Sequence, residues 1–417
     1  MGKDKIVIIG GGPAGMMAAI TASEFGNKKV ILLEKNTELG KKLKLAGGGR
    51  CNITNDKEPP DFLEHVISNH KFLLTSLWSF TSQDLMNFFE SRGCKLKTEQ
   101  HDHVFPTSEN SMDIVQILAN ELENNSVEIR LQQEVKDIVV NNNGITGVQL
   151  ANSDIIPTSI IILATGGISY PGTGSTGAGH ALATKLGHKV TTLKPALVSM
   201  EVREKWLTNL TGISFENTVL TVEISNKNIS VDGDLLFTHS GISGPAAHKL
   251  SSFLARTEIP REGMPISVDF FPHVSYDELE EQFILLNSSN KQISTVLSEF
   301  WPKKFVFQML KQLKIDETTK MNKLTKRERT HVISNMKSFA INVMRLQSVK
   351  QATITSGGVG TKEVNPSTME SKLIDGLFFA GEILDVDALT GGYNLQIAFS
   401  TGYVAGKSAA ENIYSNP

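Results

Sequence analysis

The first ordered stretch of the chain is a short apolar run, Ile6-Val-Ile-Ile9, that ends in Gly10. It is too short for a helix and rich in β-branched residues, which predicts a buried parallel strand. A segment from Met16 to Phe25, stopped by Gly26, predicts a helix, and Lys29-Val-Ile-Leu-Leu33 predicts a second strand. The same apolar pattern returns in Ser159-Ile-Ile-Ile-Leu-Ala-Thr-Gly-Gly167 and in Asp375-Gly-Leu-Phe-Phe-Ala-Gly-Glu382, each closing on glycine. Between them, residues 132–140 and 144–150 read as strands joined by an Asn141-Asn-Asn-Gly144 turn, a hairpin.

Residues 195–350 interrupt this series, because the strand that completes it comes only afterwards. The interruption has strand-like pieces at 197–202, 216–224 and 264–270, then a helical pattern over 275–339 with breaks at Pro302 and 316–320. The predicted fold class is α/β: an FAD-type Rossmann domain in two parts, 1–194 and 351–417. The inserted domain at 195–350 is β-rich over 195–274 and helical over 275–338, a placement suited to a substrate pocket.

Candidate chemistry starts at the first turn, Gly10-Gly-Gly12-Pro13-Ala14-Gly15. Gly10 permits the sharp turn, Gly12 removes a side chain from the path of a pyrophosphate, and Gly15 lets helix and strand pack closely. The free N–H groups at the helix start then hold the anion. Glu34 ends the second strand, 24 positions after Gly10, where a carboxylate accepts from ribose hydroxyls and repels a 2′-phosphate. A second glycine triplet, Gly172, Gly174 and Gly177, follows Pro171 and has no acid-terminated strand behind it, so it reads as a flexible loop entering a helix over 179–186. No separate NAD(P)H domain is evident. Further on, Gly47 to Gly49 and Arg50 form a backbone able to approach a cofactor, with a guanidinium available for a phosphate or flavin oxygen.

Composition narrows the setting without naming a partner. The net charge of -3 gives no general pull towards nucleic acid or membrane, and no window approaches a membrane span. Cys51 and Cys94 are the only cysteines among 417 residues, too few for a disulfide framework and separated by too much sequence for a redox dithiol. With no signal-peptide pattern at the N-terminus, a cytoplasmic enzyme is expected. The ten histidines are scattered, and no metal-ligand cluster is expected.

At the C-terminal end, the strand closing on Glu382 leads into Thr390-Gly-Gly-Tyr-Asn-Leu-Gln396 and a long helix. That helix start, aimed at the pyrimidine edge of a flavin, offers N–H donors where negative charge builds up on reduction. Together with the segments 46–55, Val104-Phe-Pro106, Ala164-Thr-Gly-Gly167, Phe237-Thr-His-Ser-Gly-Ile-Ser-Gly-Pro245 and Thr355-Ser-Gly-Gly-Val359, the chain resembles the HI0933-like family of bacterial flavoproteins over nearly its whole length. The resemblance implies bound FAD, with Gly10, Gly12, Pro13, Ala14 and Gly15 at the pyrophosphate, and Glu34, Lys35 and Val135 at the adenosine. It implies that Lys42, Arg50, Cys51, Asn52, Ala164, Thr165, Gly166, Gly381, Glu382, Gly392, Asn394, Leu395 and Gln396 line the rest of the cofactor. Three positions depart from the family's pattern: Ala46 stands for a serine, Ala178 for an acid, and His101-Asp102-His103 for glycine and arginine, which puts the substrate side in question.

A flavin carries electrons itself, so the protein supplies position, field and a proton donor. His239, in a glycine-rich loop, and Tyr393, ahead of the last helix, are the candidate catalytic residues. The resemblance implies an oxidoreductase that passes electrons from NAD(P)H through FAD to a small unsaturated or carbonyl-type substrate. An alternative rests on residues 301–330, which hold nine Lys or Arg against three Asp or Glu: a flavoprotein that binds or modifies RNA through this basic insert.

Overall fold

The computed structural model describes residues 5–141 and 144–411. Asn142 and Asn143, the tip of the expected hairpin turn, lie outside them. The chain divides into two compact units, residues 1–195 with 352–417, and residues 196–351.

The first unit is built on five parallel strands: β1 (Lys5–Ile9), β2 (Lys29–Leu33), β3 (Glu128–Arg130), β4 (Ile160–Leu163) and β5 (Leu377–Phe379). Their order is β5-β4-β1-β2-β3, so the last strand of the chain joins the same sheet as the first. The short β3, not foreseen from the sequence, supplies the edge. Ile6 to Ile8, Ile31, Leu32 and Ile161 to Leu163 have no accessible surface, which is why these strands read as unbroken apolar runs. The expected hairpin is the start of a three-stranded antiparallel sheet, Val135–Asn141, Gly144–Leu150 and Ile155–Pro157.

Two helices flank this sheet in close contact, α1 (Pro13–Phe25) and the long α3 (Tyr393–Glu411); a shorter α2 (Ala178–Lys185) follows the second glycine triplet. α1 and α3 approach to backbone distance because α3 carries glycine four residues apart on one face. A Cβ at Gly402 would fall 2.4 Å from the Ala14 carbonyl oxygen, and one at Gly406 2.4 Å from that of Ala18. Gly406→Leu is therefore expected to lower stability by about 1–3 kcal/mol or more, read as a lower urea midpoint.

The second unit contains a closed antiparallel barrel in the order Met200–Val202, Gly241–Ser243, Lys227–Phe237, Ser214–Ile224, Met264–Asp269, Phe339–Leu346. Helices Tyr276–Leu286, Ile293–Leu297, Lys303–Leu313 and Lys326–Lys337 lie between its last two strands in sequence. Phe305 joins the barrel residues Phe215, Phe237 and Phe339, and Phe270 just after the strand Met264–Asp269, at ring-centroid distances of 4.9 to 5.9 Å, so helices and strands share one aromatic core. The fold is an α/β Rossmann fold with an insert that is β-rich and helical. No helix among the described residues is long and apolar enough to cross a membrane.

Candidate cofactor site

Four of the five parallel strands end in the residues singled out from the sequence: Gly10 after β1, Glu34 after β2, Ala164 to Gly166 after β4, and Gly381 with Glu382 after β5. The carboxyl edge of such a sheet is where open α/β folds bind ligands. Gly10 turns the chain at φ +110°, and a Cβ there would meet the Ala164 carbonyl oxygen at 2.5 Å. A Cβ on Gly15 would fall 1.9 Å from the Gly10 oxygen, so α1 sits directly on its own entry turn. Gly12 is different: nothing lies within 4 Å of where its Cβ would be. α1 takes no side-chain cap, and Pro13 opens it. Its first-turn amides at Ala14 and Gly15 are thus left without a capping side chain next to the open position at Gly12, an arrangement able to accept an anion.

Glu34 is buried and fastens this turn. Its carboxylate accepts from the Gly11 N–H at 2.7 Å, the Asn36 N–H at 2.8 Å and the Asn36 side chain at 2.7 Å. Three of about four acceptor directions are used, leaving roughly one for a ribose hydroxyl rather than the pair expected. Lys35 donates to Thr176 at 3.0 Å and Asn36 to the Thr173 carbonyl at 3.0 Å, so the second glycine triplet is a loop docked beside Glu34. Gln132 and Gln133 donate their N–H groups to Asn36 and Glu34, and this brings Val135 to the same end of the sheet.

Lys42 and Glu382, 340 residues apart, meet at 2.7 Å. Lys42 also donates to Ser169 at 2.6 Å, while Glu382 accepts from Ser169 at 3.0 Å and from the Thr355 N–H at 2.7 Å. Burial acts to raise the Glu382 carboxyl, but Lys42 and the hydrogen bonds outweigh it and hold the group below the usual carboxylate range. Gly381 stands against α1: a Cβ there would approach that of Ala14 to 2.7 Å. Two side-chain atoms of the expected cofactor set, Thr165 Oγ1 and Asn52 Oδ1, are buried without a hydrogen-bond partner. Orphaned polar atoms of this kind call for a ligand or water.

Several expected contacts prove to be engaged elsewhere. The Arg50 guanidinium is bound by Glu109 and by Glu99, the latter at 2.6 Å, and lies 4.1 Å above the Phe105 ring. It is therefore no spare cation for a phosphate. Asn394 pins its own loop, donating to the Ala388 and Leu389 carbonyls and accepting from the Ala388 N–H. Gln396 is wholly buried between Thr54, Ser400 and the Phe80 carbonyl. Leu395 is partly buried against the core. What this segment offers is backbone, with Gly392 so close to Thr54 that a Cβ would fall 2.2 Å from its carbonyl oxygen.

Tyr393 is buried, stacked on His65 at 4.5 Å and edge-on to Phe62 at 4.9 Å, and burial raises its phenol. His239 belongs to the other unit, where it is exposed between the strands ending at Phe237 and beginning at Gly241. Cys51 and Cys94 are both free and buried. Burial pushes the Cys51 thiol well up and that of Cys94 up to about 11, so both stay protonated. Among the described residues no group of side chains could hold a metal ion.

The sequence reading passed over His188, whose ring nitrogens meet Glu363 at 3.2 Å and Ser371 at 2.9 Å. Three residues this far apart in sequence give no local signal. Burial outweighs the Glu363 charge and holds the imidazole below its ordinary value of 6.5. Because the unfolded chain takes up that proton more readily, the stabilisation is full above the ordinary value and is lost as pH falls towards the depressed one. Thermal midpoints are thus expected to drop as pH is lowered from about 7 to about 5.5, and to drop less in His188→Gln.

The profile described as the HI0933-like protein Rossmann domain matches residues 4–408. The 3-dehydro-bile acid delta(4,6)-reductase of Clostridium scindens is 30% identical over 420 residues, covering 98% of this chain and 99% of that one. The ribosomal RNA dihydrouridine synthase of Haemophilus influenzae is 31% identical over 407 residues, covering 96% and 97%. Among solved structures, the 3-ketosteroid-delta4-(5alpha)-dehydrogenase of Rhodococcus jostii RHA1 has a TM-score of 0.55 at 15% identity, with 98% of this chain and 96% of that one covered, a likeness of fold. Matched from residue 4 to residue 408, with its glycine turn and strand-end residues in place, this chain belongs to the HI0933-like Rossmann family.

Proposed function

We propose that this protein is an FAD-dependent oxidoreductase that reduces a carbon–carbon double bond conjugated to a carbonyl, with NAD(P)H as electron donor. The observation that carries the cofactor assignment is the open anion cradle at Gly12 and the start of α1, together with the orphaned Thr165 and Asn52 atoms. The first-turn amides of α1 would hold the pyrophosphate, Glu34 and the Val135 backbone the adenosine, and Lys42 with Glu382 the region beyond it. The backbone at Gly392 and the first turn of α3 would face the flavin ring. FAD, when bound, supplies the hydride.

The type of reaction is suggested by the two relatives together. One is named as a reductase of a 3-dehydro-bile acid, the other as a synthase of dihydrouridine. Both names describe saturation of a double bond in conjugation with a carbonyl. Such a reduction also needs a proton at the carbon next to the carbonyl. Tyr393, kept protonated by burial, is in the state a donor requires, and Tyr393→Phe against His239→Gln separates the two candidates. Anaerobic mixing of the FAD-loaded protein with NADH or NADPH is expected to bleach the flavin's visible absorption. If neither nucleotide bleaches it, the proposed donor is wrong.

A small enone is the first substrate reading. A pyrimidine base in RNA carries the same conjugated bond, and one observation favours it as a second: Lys303, Lys304, Lys311, Lys314, Lys320, Lys323, Lys326 and Arg327 are all exposed. None of the eight has an ion-pair partner among the described residues.

A further inference from the structure

The insert helix Lys303–Leu313 carries an unusual outer face. Its inner side is settled: Phe305, Val306, Met309 and Leu310 are buried in the aromatic core of their unit. Successive residues turn by about 100° along a helix, which sets Lys303, Phe307 and Lys311 in one row with Lys304 beside it. Lys314, at the helix end with φ +58°, continues the row. Phe307 stands in the middle of these four lysines and is 44% exposed.

Neither feature serves the helix. Two lysines in the first turn oppose the helix dipole, and no acid accompanies them there. A phenyl ring left 44% exposed between cations contributes little to the core that the helix's other face buries. Next to it lies an open hollow of about 520 Å³ lined by Phe307, Gln308, Lys311, Lys314, Ile315, Asp316 and Glu317. Its Glu317 carboxylate and the second oxygen of Asp316, whose Oδ1 already accepts from Thr318, would repel a phosphate but accept N–H groups from the edge of a base. Cations flanking an aromatic, with hydrogen-bonding groups in reach, match a single nucleic-acid strand: lysines on the backbone and a base stacked on the ring. A lipid surface would want several apolar side chains on the face, and this row has one.

We propose that the face formed by Lys303, Lys304, Phe307, Lys311 and Lys314 docks a single-stranded segment of RNA, with a base on Phe307 and its edge in the adjoining hollow. The choice of RNA rests on the second substrate reading above; the docking face itself does not depend on the electron donor.

The test uses the full chain loaded with FAD and a labelled single-stranded RNA oligomer, followed by fluorescence anisotropy from about 50 to about 200 mM salt, the range over which such binding changes steeply. The triple variant Lys303→Glu, Lys311→Glu, Lys314→Glu should weaken binding at least about tenfold and flatten the slope of log affinity against log salt by about 2, near 0.7 for each lost phosphate contact. Phe307→Ala should weaken binding roughly fivefold to a hundredfold, as lost base stacking does, with the salt slope unchanged, while Phe307→Trp retains it. All substituted side chains are exposed, and unaltered melting curves confirm folding. Unchanged affinity in the triple variant, or in Phe307→Ala, would overturn the proposal. So would tight binding to phosphatidylserine vesicles that RNA fails to displace. Bleaching by NAD(P)H, followed in the same variants, should stay as in the parent; its absence with RNA binding intact would count against the donor reading and not against this face.

Discussion

Gly12→Val is expected to give a folded but colourless protein, whereas Gly15→Ala should scarcely fold at all. The two glycines stand three residues apart in the same turn, and only their surroundings separate them. At Gly12 the backbone is ordinary, φ -83°, and a side chain would project into empty space, so stability should be nearly unchanged. That space is the proposed seat of the pyrophosphate, and valine methyl groups there should cost about 1–3 kcal/mol of FAD affinity or more, a loss of roughly fivefold to over a hundredfold. At Gly15 a single methyl carbon would lie 1.9 Å from the Gly10 oxygen, a clash only backbone movement can relieve. Against a total stability of about 5–15 kcal/mol, forcing α1 off its strand is a large perturbation. Flavin absorbance after gel filtration and the urea midpoint read the two effects separately. A yellow Gly12→Val protein would place the cofactor elsewhere.

The second large effect is expected at Lys42. Lys42→Met removes the cation from Glu382 while leaving its carboxylate enclosed, with 22% of the side chain accessible against 26% for Lys42. Removing one partner of a buried pair costs about 3–5 kcal/mol, and the residual exposure places this pair near the lower figure. The sign with pH follows from the depressed Glu382 carboxyl. Its stabilisation is complete above the ordinary carboxylate value of 4.5 and is lost as pH falls through the lower folded value. Lys42→Met should move that acid loss to higher pH. The double variant Lys42→Met, Glu382→Gln should recover much of the stability, since no charge is then left unpaired. Equal melting of single and double variants would show that the pair is not coupled.

What could be read from the chain was what local spacing encodes. Gly10, Gly12, Gly15 and Glu34 lie within one strand-helix-strand unit, and the apolar strands announce themselves because both faces of the sheet are covered. Glu382 and Lys42 were both singled out from their motifs, yet nothing local says that they touch. The same limit explains Arg50: its partners Glu99 and Glu109 lie 49 and 59 residues away, and a guanidinium after three glycines reads as available until they are seen. Gln396 is a parallel case, claimed by Thr54 across 342 residues.

The insert was harder for a different reason. Lys227–Phe237 is a barrel strand, but its outward face is polar and Gly233 interrupts it, so the alternation is weak. Phe339–Leu346 follows directly on a helix and is not marked as a strand by its sequence pattern, although it closes the barrel against Met200–Val202. Close packing of α1 on α3 through Gly402 and Gly406 was equally silent, because a glycine within a helical pattern does not say what approaches it.

Flavin content decides the central claim most directly. Purified protein, incubated with FAD and freed of excess by gel filtration, should carry about one FAD per chain, released intact on denaturation and absent from Gly12→Val. Protein that folds normally yet emerges without flavin, or a Gly12→Val variant that retains it fully, would contradict the account.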